Sequence, residues 1–187
     1  MRLTPSAIVT LISNVIALAM IAIAANGWPS ELLFSYNVHK VLHIVGVVIF
    51  MGNMIAGPIW LMLAWFTGDQ KLLAFAARTL GQADMVLTVP GVQLTLWNGI
   101  YMASVHGGVM KAPWLREAMY LLIATSIVST TLVLYCQEKF IHVAQEQDSA
   151  ATLKWLLIWS FWGTLVGVPF SLVAWLMVNK QPLWLVP

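Results

Sequence analysis

The stretch 35-SYNVHKVLHIVGVVIFMGNMIAGPIWLMLAW-65 decides the fold, because from Val41 to Trp65 it carries no Asp, Glu, Lys or Arg. Crossing the hydrocarbon core of a bilayer takes about 20 apolar residues of helix, and this run exceeds that. A helix on the surface of a soluble domain keeps a charged face; this one has none, so it reads as a membrane span. Its first turns nevertheless hold three ionisable groups, His39, Lys40 and His43.

The rest of the chain agrees with a bilayer setting. Of 187 residues, 60% are hydrophobic and 9% charged, and the mean hydropathy is +0.85. Soluble domains are about half apolar and a quarter charged. Five apolar segments follow one another: Pro5–Trp28, Asn37–Phe66, Met85–Val105, Glu117–Cys136 and Trp155–Val178. The polar breaks "NGWPSE", "TGDQK", "HGGVMKAPW" and "QEKFIHVAQEQDSA" separate them. The expectation is an all-α, polytopic membrane protein with five transmembrane helices, forming one transmembrane domain over residues 1–187. The "AIAA" at Ala22–Ala25 has the form of a signal-peptidase site, but the first segment is taken as a retained span.

A net charge of +2 gives no reason to expect nucleic acid. The single Cys136 excludes an internal disulfide, and no CxxC is present. Placing Arg2, Lys71, Arg78, Lys139 and Lys154 on one side leaves Lys40, Lys111, Arg116 and Lys180 on the other, a slight excess favouring a cytoplasmic N-terminus. Trp28, Trp114 and Trp184 fall at one interface and Trp65 and Trp155 at the other.

Alternating span directions bring the start of the second helix, with His39 and His43, to the same face as His106, Trp114 and Arg116, and leave His142 opposite. Residues four apart share a helical face, so His39 and His43 cannot take opposite axial positions on one haem. For a haem b ligated by two histidines, His43 with His106 is the expected pair, with Arg116 and Lys40 available to the propionates. A copper site on His39 and His43, with Met51 or Met54 deeper in the helix, is the alternative within metal chemistry.

Asn14, Asn53, Gln93, Thr95 and Asn98 read as polar bridges between helices. Gly91, Thr95 and Gly99 on the third span, and Gly163 with Gly167 on the fifth, permit close approach of backbones or of a flat ring. Pro58, Pro90 and Pro169 are expected to kink or break their helices. No Asp, Glu, Lys or Arg is placed at the centre of a span, which argues against a proton pump or charge-selective pore. The stripe Trp155, Trp159 and Trp162 suits a lipid or protein contact.

"HKVLHIVGVVIFMGNMIAGPIW" resembles the histidine-bearing helix of small bacterial predicted integral membrane proteins and of the HemJ-type protoporphyrinogen oxidase. "VLTVPGVQLTLWNGIYM" is similar to the helix that follows there, and "APWL" to the tryptophan opening the next. The likeness covers roughly residues 36–140, within a core of about 36–178, with the helix at 5–28 added in front. It implies that helices 2–5 form a four-helix bundle binding haem b through His43. The family's lysine after that tryptophan falls at Ala118 here, with Arg116 nearby, so the chain is at most a HemJ-like oxidoreductase lacking part of the pattern. The functional expectation is a haem-b-binding redox or electron-transfer protein of the bacterial inner membrane, exchanging electrons with a quinone or a partner redox protein. A homo-oligomer is compatible with this, and a cofactor-free accessory subunit of a larger membrane complex is the rival reading.

Overall fold

A computed structural model describes residues 3–185 and resolves the expected spans into five helices, each long and apolar enough to cross a membrane. They are α1 (Pro5–Ala25), α2 (Tyr36–Phe66), α3 (Gln70–His106), α4 (Pro113–Gln145) and α5 (Ser149–Asn179). No strand occurs among the described residues.

Local chemistry sets the helix ends. Thr4 caps α1 through its hydroxyl, 3.2 Å from the Ala7 N–H, with Pro5 at the first helical position. Asp69 accepts the Lys71 N–H at 2.8 Å to start α3, and Asp148 accepts the Ala151 N–H at 3.0 Å to start α5. After His106 the chain turns through Gly107 and Gly108, whose φ of +80° and +104° other residues rarely adopt.

Two helices reach beyond the apolar segments. The third span is 37 residues long rather than the stretch Met85–Val105, because the amphipathic run Gln70–Ala83 continues directly into it. The fourth spans Pro113–Gln145 and so includes Gln137 and Glu138. The prolines do not break their helices: Pro58 and Pro169 lie inside uninterrupted α2 and α5. Ahead of Pro90 the helix widens into a π turn at Asp84–Thr88, which relieves the clash between a proline ring and the carbonyl four residues earlier. A second π turn occupies Ser129–Val133 of α4.

The tightest seam is between α2 and α3. A Cβ on Gly91 would stand 2.8 Å from the Phe50 backbone nitrogen and 2.9 Å from the Gly46 carbonyl oxygen, so the two backbones meet there and only glycine fits. Two apolar cores flank the middle. One joins Leu61, Leu73, Ala77, Phe140 and Trp159 at the end where α2 finishes. The other joins Ala17, Met20 and Ile21 of α1 to Leu96, Ile100, Leu115 and Met119 near the histidine end. The first helix therefore shares a core with α3 and α4. The tryptophan stripe also turns inward: Trp159 is buried and stacks on Phe140, while Trp155 and Trp162 pack against the same core. Phe140 offers that stripe an aromatic partner that lipid does not.

Candidate functional site: the histidine end

His39 and His43 project from the first two turns of α2 toward α3 and meet different partners. The His39 ring is 1% exposed. It stacks on Tyr101 with 4.9 Å between ring centroids. Its Nδ1 lies 2.8 Å from Asn98 Oδ1 and its Nε2 accepts the Phe34 N–H at 3.1 Å. Asn98 Nδ2 already donates to the Leu94 carbonyl at 2.7 Å, so its oxygen faces His39 and Nδ1 carries the proton. Both ring nitrogens are thus engaged. His39 is a buried joint rather than a wet interfacial residue, and a copper chelate on His39 and His43 lacks a free lone pair on its first member.

His43 lies one turn deeper. Its Nδ1 is 2.7 Å from the Thr95 carbonyl oxygen and donates to it. The Nε2 atom makes no hydrogen bond to the described residues. The ring fits because residue 99 is glycine: a Cβ there would lie 3.1 Å from His43 Cε1 and Nδ1. An imidazole anchored through Nδ1–H to a carbonyl, with Nε2 free, is the usual state of a metal-ligating histidine.

His106 does not reach this place. It lies seven residues beyond Gly99, about 10 Å further along a helix of 1.5 Å rise, in a 3-10 turn where its exposed ring meets Trp114 edge-on at 5.6 Å. The two histidines lie toward the same end of the bundle, and the structure does not bring their rings together. Arg116, partly buried at the start of α4, makes no side-chain hydrogen bond to the described residues, and Lys40 is exposed. Among the described residues no three His, Cys, Asp or Glu side chains come together as a metal cluster.

The predicted bridges fall as read, with one exception. Asn98 and Thr95 join α3 to α2, and Gln93 Nε2 donates to the Ser13 carbonyl and hydroxyl of α1, both at 2.8 Å. Asn53 donates to Asp84 and Thr88 of α3. Asn14 makes no hydrogen bond to the described residues.

The sequence reading missed two acids away from the histidine end. Asp84 and Glu138 each lie just outside an apolar segment, yet Glu138 is buried and Asp84, half-buried, is hydrogen-bonded between helices. The Glu138 carboxylate, 4% exposed, accepts the Thr4 N–H at 2.9 Å and the Thr4 hydroxyl at 2.8 Å. Asp84 faces Asn53 near the middle of α2. The signal available in the sequence was amphipathic Gln70–Ala83 running without a breaker into the third span, which carries Asp84 into the bundle.

A family model described as "Predicted integral membrane protein (DUF2269)" matches residues 37–181. No curated protein matches the chain, and no solved structure does.

Proposed function

The chain belongs to this DUF2269 family of predicted integral membrane proteins, and we propose, from the geometry of one histidine, that it binds haem b on His43. The role we infer is electron transfer in the bacterial cytoplasmic membrane, to or from a quinone or a partner redox protein, as the resemblance to HemJ-type oxidases implies. The observation that carries the reading is His43 itself, with Nδ1 held by the Thr95 carbonyl at 2.7 Å, Gly99 making room for the ring, and Nε2 free. Bound haem b supplies reversible one-electron chemistry. The Thr95 carbonyl fixes the imidazole tautomer and raises its basicity as a ligand. Lys40, exposed one turn before His43, and Arg116 at the same end are the basic groups available to propionates. With both His39 nitrogens engaged and His106 further along α3 against Trp114, our reading is one histidine ligand per chain.

A reduced-minus-oxidised absorption spectrum of the purified protein, with a pyridine haemochrome, tests it. Haem b near one per chain, lost in His43→Ala and kept in His106→Ala, is the expected result. A colourless protein after expression with supplied haem overturns the reading. Complementation of a strain lacking protoporphyrinogen oxidase tests the oxidase activity separately.

One observation favours the cofactor-free accessory subunit as a second reading. On α5, a Cβ at Gly163 or Gly167 would meet nothing within 4 Å, and exposed Phe161, Leu165 and Val168 lie on the same helix. Stoichiometric co-purification of a larger membrane complex that survives His43→Ala would select that reading.

A further inference from the structure

Asp84 sits at the first residue of the π turn in α3, and three side chains from three helices converge on it. Its Oδ1 accepts from Asn53 Nδ2 at 2.9 Å and from the Thr88 hydroxyl at 3.0 Å, and its Oδ2 accepts from Gln137 Nε2 at 2.7 Å. The one ion pair among the described residues is His142 with Glu146, elsewhere in the chain, so this carboxylate has no cationic side chain beside it. Hydrogen bonds orient an intramembrane carboxylate but leave its charge uncompensated, and an uncompensated charge away from water costs several kcal/mol.

A second observation points to what compensates it. Asn53 is 4% exposed, and its carboxamide is aimed into this cluster, where Nδ2 also reaches Thr88 Oγ1 at 2.8 Å. Its Oδ1 is nevertheless buried without any hydrogen-bond partner. Both amide N–H bonds go to Asp84 and Thr88, so the orphaned oxygen is on the other edge of the amide; turning the amide exchanges the two edges, which is favourable only when a cation lies among the Asp84 and Thr88 oxygens.

We propose that Asp84, Asn53 and Thr88 form an intramembrane binding site for a small monovalent cation, Na+ or a proton. Rotation of the Asn53 amide presents Oδ1 to the ion, beside the Asp84 carboxylate and Thr88 Oγ1. Other ionisable groups on the packed elements are turned elsewhere. Arg78 of α3 is exposed, Glu138 of α4 is held by Thr4, Lys139 lies over the Tyr135 ring, and Cys136 is buried in the apolar core. The site is independent of His43 and stands whether or not haem binds.

The test is thermal unfolding of the full-length protein in nanodiscs, with NaCl exchanged for choline chloride at constant ionic strength and at several pH values. Occupancy of a native-state site raises the unfolding temperature with ligand concentration. A saturable rise with Na+ but not choline, absent in Asp84→Asn, supports a sodium site. No response to Na+, with a rise on acidification that Asp84→Asn abolishes, supports a proton site. The same unfolding temperature in Na+, K+, Li+ and choline, with a pH dependence identical in wild type and Asp84→Asn, overturns the proposal. Should Asp84→Asn fail to fold, Thr88→Ala and Thr88→Ser replace it. Thr88→Ala then raises the half-saturating Na+ concentration about tenfold, or shifts the pH midpoint, while Thr88→Ser changes neither; equal behaviour of the two overturns the proposal.

Discussion

One turn of α2 separates His39 from His43, yet the two rings do opposite work. His39 spends both nitrogens on Asn98 and the Phe34 N–H, so it ties the loop before α2 to α3. Replacing it with phenylalanine keeps the stack on Tyr101 and strands two polar groups. His39→Phe is expected to cost about 2–3 kcal/mol, measured as a lower unfolding temperature, with the haem content of the folded fraction unchanged. Gly99→Ala should do the reverse. The new Cβ meets the His43 ring at 3.1 Å and displaces it from the Thr95 carbonyl, so on the proposed haem reading the haem per chain falls. The fold is kept, because alanine is the better helix former. Full pigment in Gly99→Ala would show that the position of the His43 ring does not govern binding.

At the scale of helices, the glycines divide by what faces them. Gly91 is in contact with the α2 backbone, so Gly91→Ala forces α2 and α3 apart at an expected cost of about 3 kcal/mol, read as loss of folded protein on expression. Gly163 and Gly167 face open space. Either changed to alanine should leave stability unchanged or raise it by up to about 1 kcal/mol; a large loss would show that a partner packs there in the membrane. Helix 3 also shows how a proline is carried without a break, since the π turn at Asp84–Thr88 opens the helix just ahead of Pro90.

For the whole molecule, the integration of α1 has the largest consequence. It shares a core with α3 and α4, and its cap residue Thr4 satisfies the buried Glu138 carboxylate, although the family match begins only at residue 37. A chain lacking residues 1–35 is therefore expected to lose most of its folded yield, recovered when α1 is co-expressed as a separate peptide. A stable truncated protein would contradict this. The number of spans, their order and the gathering of three histidines at one face were legible in the sequence, because hydrophobic length and alternating direction set them locally. The bridging roles of Asn53, Gln93 and Asn98 were legible too, since amides in apolar spans find partners on other helices. What only the tertiary structure decided is which side chains meet: that both ring nitrogens of His39 are engaged but one of His43 is free, that His106 packs on Trp114 further along α3, that the tryptophans of α5 turn inward, and that Glu138 is buried and Asp84 hydrogen-bonded between helices. Each of these depends on the rotation and depth of one helix against another, which are set at particular contacts such as Gly46 with Gly91. Hydropathy, averaged along a segment, carries no record of such contacts.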